Sequence, residues 1–201
     1  MVRDDEVSAG DADMSAARRQ PGKDARPPAI VSREPVLTTP YFRLLGKRLD
    51  GEPGGEPYYS LELLDYVSVV ATTVDGSFVL VRQFRPAVEA VTLELPAGHV
   101  ELGQNPEDAA RVELAEETGY AATSVRLVGC LRPDTGRLAN RMWVYFAEAA
   151  VRTGPWETEP GVDVVVATPA ELARWLSEGT FDHALHVASI FLSAQAGCIK
   201  L

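Results

Sequence analysis

The stretch from Leu95 to Tyr120, LPAGHVELGQNPEDAARVELAEETGY, leaves the chain few choices: a turn of small residues must run straight into a helix with marked ends. Asn105 suits the N-cap and Pro106 the first helical position. Glu107 and Asp108 complement the positive end of the helix dipole, and Gly119 can close the helix in a left-handed conformation. On that helix Glu113 shares a side with both Glu116 and Glu117, three and four residues on. Like charges at this spacing repel. ELAEE is therefore either a solvated acidic face or a set of carboxylates gathered for a divalent cation, since Mg2+ or Mn2+ takes such oxygens at about 2.1 Å.

The surrounding chain reads as alternating strands and helices. Residues 1 to 28 hold almost no large apolar side chains, which predicts a disordered tail. A region of N-terminal strands, 29 to 64, follows, and then one main domain, 65 to 201. In it, Tyr66 to Val74 and Phe78 to Phe84 read as a hairpin whose Asp-Gly turn calls for positive φ, followed by a short strand at Thr92 to Leu95. Strands are expected at Ser124 to Leu131, Met142 to Ala147 and Val162 to Ala167. Helices are expected from Pro169 to about Glu178 and from Asp182 to about Gln195, the latter largely buried on the strength of Leu185, Val187, Ile190, Phe191 and Leu192. The fold class is α/β, a mixed sheet covered on both faces.

A net charge of -10 argues against a surface for nucleic acid, whose binding rests on Lys and Arg. No stretch approaches the roughly 20 apolar residues of a membrane span, so no membrane association and a cytoplasmic location are expected. An acidic protein that handles a phosphorylated ligand needs local positive charge, and a carboxylate cluster implies a divalent cation as its source. His99, His183 and His186 show no metal-like spacing with other ligands.

GHVELGQNPEDAARVELAEETGY resembles the signature of the Nudix hydrolases: Gly, five residues, Glu, seven residues, Arg-Glu, an aliphatic, any residue, Glu-Glu, any residue, Gly and an aliphatic or aromatic. Gly98, Glu113, Leu114, Glu116, Glu117, Gly119 and Tyr120 fill its positions. DYVSVVATTVDGSFVLVRQFRPAVEAVTLELPAG is further similar to the ADP-ribose and ADP-sugar pyrophosphatase branch. The resemblance implies a Nudix-type α/β/α sandwich preceded by a small N-terminal β region, and metal-dependent hydrolysis of a nucleoside diphosphate linked to another group. The substrate it implies is ADP-ribose or another nucleotide sugar, with Mg2+ (or Mn2+) as cofactor and a homodimer as a common assembly.

The same resemblance implies the site. The backbone carbonyl of Ala97 and the carboxylates of Glu113 and Glu117 would hold metal, with Glu116 assisting. Arg85, in RQFR, would bind substrate, as would Asp134, Arg137, Asn140 and Arg141 in RPDTGRLANR. Glu159, or else Glu157, in WETEPG would be the general base. Two positions depart: Gln104 stands where the signature has its first Glu, and Val112 where it has Arg. Arg111 points about 100° round the helix from that position and is no simple substitute. The paired loss is charge-balanced, as though a supporting ion pair had been removed as a unit. Either a weakened hydrolase or a module that binds a nucleotide without turnover is consistent with it.

Overall fold

A computed structural model describes residues 26–51, 54–156 and 160–200. The expected tail thus lies almost wholly outside the described residues, as do Glu157 and Glu159. Strands β1 (Ile30–Thr38), β2 (Arg43–Leu49) and β3 (Tyr58–Glu62) form an antiparallel sheet of their own. The larger sheet contains β4 (Tyr66–Thr73), β5 (Phe78–Arg85), β6 (Ala90–Glu94), β7 (Ala97–His99), β8 (Tyr120–Ala121), β9 (Ser124–Leu131), β10 (Met142–Arg152) and β11 (Val162–Ala167). Its helices are α1 (Pro106–Thr118), α2 (Pro169–Glu178) and α3 (Ala184–Gln195).

The sheet is mixed because β10 runs parallel to β4, whereas the other described pairings are antiparallel. Strand β4 is buried on both faces, which accounts for its unbroken run of apolar and small residues. Val67, Val69 and Ala71 pack with Ala109, Ala110 and Leu114 of α1. Val70 faces the other way, into a core with Leu172 of α2, Ile190 of α3, Phe78, Leu80 and Phe181. The expected sandwich is present, with α1 on one side and α2 and α3 on the other.

The ends of α1 are set as the sequence predicts. The Asn105 side chain accepts from the Glu107 N–H at 3.0 Å, and Gly119 at φ 69° donates its N–H to the Ala115 carbonyl. Two local expectations change. In the β4–β5 turn only Gly76 takes positive φ, while the Asp75 carboxylate accepts from the hydroxyls of Thr73 and Ser77. Helix α3 starts later, with His183 as N-cap, and buries His186, Ser189, Ile190 and Ser193 while Phe191 stays 59% exposed. Small and polar side chains line this stripe because α3 packs directly over β4, where Ser189 Oγ lies 3.4 Å from Ser68 Oγ.

Candidate active site

The turn between β6 and α1 brings the chemistry together. Strand β7 pairs with β4, aligning Ala97 with Ser68 and Gly98 with Val67. The buried Glu117 carboxylate reaches back from α1 and accepts the Ala97 N–H at 3.0 Å through Oε2. The Glu113 carboxylate lies against Gly98 so closely that a Cβ there would sit 1.9 Å from its Oε1. Glycine at 98 therefore makes room for the Glu113 carboxylate of α1. Glu116 is exposed, and its backbone carbonyl accepts from the Trp156 indole N–H at 3.0 Å.

Arg85, at the end of β5, makes two hydrogen bonds to Glu94, Nε to Oε1 at 2.8 Å and Nη2 to Oε2 at 2.7 Å. Thr92 donates a third, to Oε1 at 2.6 Å. Burial opposes ionisation of Glu94, but these hydrogen bonds and the Arg85 charge outweigh it and hold the carboxyl at about 2. Arg85 is fixed as a cation in turn, by its hydrogen bonds to Glu94 and by the charges of Glu94 and Glu117, against the cost of its own partial burial. A pocket of about 290 Å3 is lined by Arg85, Glu94, Ala97, Gly98, His183 and His186, with Tyr66 and Met142 among its walls.

The histidines correct the sequence reading. Ligand atoms of Glu94, His183 and His186 all lie within 4.8 Å of one another, so this cluster is able to coordinate a divalent cation. The His183 and His186 rings stack at 3.8 Å. The signal was present as His-x-x-His in an otherwise apolar helix, but its third member lies 89 positions earlier, and only the fold joins them. His186 Nδ1 already accepts the Leu95 N–H at 3.1 Å, and both Glu94 oxygens serve Arg85. Imidazole suits softer metals, whereas Mg2+ prefers oxygen ligands such as carboxylates and backbone carbonyls.

The remaining candidates lie outside the lining of that pocket. Loop 132–141 laces onto β3 and the residues after it: the Leu61 N–H donates to the Arg137 carbonyl and the Ala139 N–H to the Leu61 carbonyl. Asp134 accepts the Gly136 N–H, and the Arg137 guanidinium lies 5.2 Å over the Tyr58 ring. Buried Asn140 donates to the Leu64 carbonyl, and the Arg141 N–H donates to Asp65. As for the departures, the Gln104 side chain accepts the Glu101 N–H at 2.9 Å and Val112 is 43% exposed. Arg111 is occupied with Glu107 and the Ala122 carbonyl.

Residues 63–186, more than half of the chain, match the model of the NUDIX domain. The chain belongs to the Nudix family. It is 38% identical over 82 residues to the ADP-ribose pyrophosphatase of Bacillus subtilis (strain 168), covering 41% of this chain and 44% of that protein. It is 57% identical over 62 residues to the ADP-sugar pyrophosphatase of Mus musculus, covering 30% and 28%. This Nudix chain thus spans less than half the length of these relatives. The crystal structure of an ADP compounds hydrolase superposes with a TM-score of 0.73 at 22% identity, over 88% of this chain and 100% of that one, which establishes likeness of fold. Among the described residues no helix is long and apolar enough to cross a membrane.

The buried cluster gives the fold an acid sensitivity of defined sign. Burial, with His183 alongside, pushes His186 from 6.5 down to about 3 despite the pull of Glu94. Unfolded His186 takes up a proton near 6.5 and the folded residue does not, so between those values the unfolded state binds more protons and stability drops as the pH drops. Glu94, lowered from 4.5 to about 2, acts in the same direction. Stability should be full above pH 6.5 and decline from there towards pH 2, by on the order of a few kcal/mol for the two groups. Thermal unfolding across pH 7.5 to about 4.5 tests this, and a flat Tm would contradict it.

Proposed function

We propose that this Nudix chain is a Mg2+-dependent pyrophosphatase, with Mn2+ an alternative cation, that splits ADP-ribose or a similar nucleotide sugar into a nucleoside monophosphate and a sugar phosphate. The observation carrying this reading is Ala97: it lines the pocket that holds Arg85, and its N–H is bound by Glu117 of the carboxylate helix. The Glu117 charge also acts on Arg85, so a cation suited to phosphate oxygens lies within reach of the carboxylate helix. The names of the relatives, ADP-ribose and ADP-sugar pyrophosphatase, support the substrate class.

Glu113 and Glu117, with the Ala97 carbonyl and help from Glu116, would hold the metal, and the cradle at Gly98 fits Glu113 to that task. When bound, the metal would neutralise the diphosphate and lower the pKa of the attacking water. Arg85, locked by Glu94, binds and orients a phosphate so that the water is in line with the bond to the bridging oxygen. Glu159 takes the water's proton, with Glu157 the alternative. Trp156, which donates to the Glu116 carbonyl, ties the start of that loop to α1 and supports this assignment. Asp134, Arg137, Asn140 and Arg141 belong to the loop meeting the distal part of the substrate, and the exposed guanidinium of Arg137 on Tyr58 supports its part. Exposed apolar residues of β1 and the turn after it, Val36, Leu37 and Tyr41 among them, support assembly as a homodimer.

The test is product release from ADP-ribose, other nucleotide sugars, dinucleotides and nucleoside triphosphates with Mg2+ or Mn2+. Turnover should be highest within the nucleotide sugars. Binding of ADP-ribose with no release would instead favour the second reading, a module that senses a nucleotide without hydrolysis, for which Gln104 and Val112 are the specific observations. Those two positions carry their own prediction. Gln104→Glu can keep the bond from the Glu101 N–H, and together with Val112→Arg it should raise metal affinity by about 10-fold, more than the product of the single changes. Purely multiplicative effects would remove the ion-pair interpretation.

A further inference from the structure

Segment 94–98 is held at every residue, and each hold serves a different part of the site. The Glu94 side chain fixes Arg85, the Pro96 carbonyl accepts the Val69 N–H, the Ala97 N–H is taken by Glu117, and Gly98 seats Glu113. The Leu95 N–H is received from the other face of the sheet, by His186 Nδ1 of α3. The imidazole is 3% exposed and stacked on His183, whose own Nδ1 accepts the His186 backbone N–H at 3.4 Å. One turn further along α3, Ser189 meets Ser68, the β4 residue paired with Ala97. Helix α3 therefore contacts β4, the strand that pairs with β7, and the Leu95 linker that leads into β7, and it does so through side chains with hydrogen-bonding groups in a buried stripe.

We propose that His186 is a positioning residue: by accepting the Leu95 N–H it fixes the spacing between Glu94, which orients Arg85, and Ala97, which meets Glu117. A packing role would need only an apolar ring of the right volume. A buried acceptor aimed at a backbone amide does more, because without it the Leu95 N–H loses its partner in the interior and the segment must shift to find another. Such a shift changes two things together, the reach of Arg85 into the pocket and the distance of the Ala97 carbonyl from the carboxylates. His183 holds the imidazole plane by stacking, so the acceptor points at the Leu95 amide.

This inference rests on the proposed function, and its test is read without turnover. His186→Asn presents an amide oxygen near the Nδ1 position and keeps an acceptor, whereas His186→Leu fills space without one. The part of Mn2+ binding to the apo-protein that is lost in Glu117→Gln, followed by electron paramagnetic resonance, reports on the Ala97 side and not on the Glu94, His183 and His186 cluster. Binding of α,β-methylene ADP-ribose in the absence of metal reports on the Arg85 side. His186→Leu should weaken both by about 10-fold or more and speed hydrogen exchange at the Leu95 amide, and His186→Asn should recover most of each. If His186→Asn is as poor as His186→Leu, the imidazole acts by packing and the positioning role is wrong. The positioning role fails equally if His186→Leu lowers Tm but binds both probes like the wild type. Wild-type protein that binds neither probe overturns the proposed function itself, and the positioning role with it.

Discussion

Glu117→Gln is expected to remove hydrolysis while leaving the fold in place. Glu117 is 7% exposed and its Oε2 accepts the Ala97 N–H. The amide oxygen of Gln can keep that bond, so strand β7 stays where it is and Tm should move by no more than about 1 kcal/mol of stability implies. What disappears is the charge offered to a cation. Removing groups that only support ligands costs about 10- to 100-fold, and loss of a ligand should exceed the upper end of that range in turnover. Metal titration and product release measured on the same preparation check it. Turnover within a few-fold of wild type would mean that the ELAEE face is an acidic surface and no more.

Gly98→Ala should separate stability from function in the same way, but through sterics. The added methyl would lie 1.9 Å from Glu113 Oε1, 2.0 Å from its Cδ and 2.3 Å from Oε2. No backbone atom is among those nearest neighbours, and the obstructing group is the far end of a flexible side chain. The methyl therefore displaces the carboxylate, not the strand, and the cost in folding should be modest. Catalysis is less forgiving, because a misplacement of about 1 Å in a positioned group can cost on the order of 100-fold. The variant should melt near wild type and bind Mg2+ or Mn2+ far more weakly. Wild-type metal affinity in Gly98→Ala would show that Glu113 does not need the cradle.

What could be seen in the sequence was what is written locally. The caps of α1, its carboxylates and the turn before it depend on residues within a few positions of each other, and Asn105, Pro106 and Gly119 act as they read. The strands of the central sheet were legible for a similar reason, since β4 is enclosed on both faces and keeps an unbroken apolar run. The Glu94, His183 and His186 cluster was not legible, because β6 and α3 meet only after the sheet has formed. Hydrophobicity also misled at α3. Phe191 and Val187 suggested the buried side, but the helix turns His186, Ser189 and Ser193 inward, where a close approach to β4 favours small and hydrogen-bonding side chains over bulk. The charged residues of loop 132–141 are plain in the sequence, whereas nothing local reveals that its backbone bonds to Leu61.

The parallel pairing of β4 with β10 has a consequence for how the chain reaches this state. Tyr66 and Val67 must wait for Met142 and Trp143, so the central strand is synthesised long before the neighbour that closes its edge. Until then Val67, Val69 and Val70 lie along an open edge able to recruit another chain, the kind of exposure that makes folding intermediates aggregate. Closing so long a loop is slow, and it must precede the burial that stabilises it. A chain interrupted within loop 132–141 would therefore leave its most apolar strand without its partner, and should be recovered as aggregate in place of a soluble half-domain.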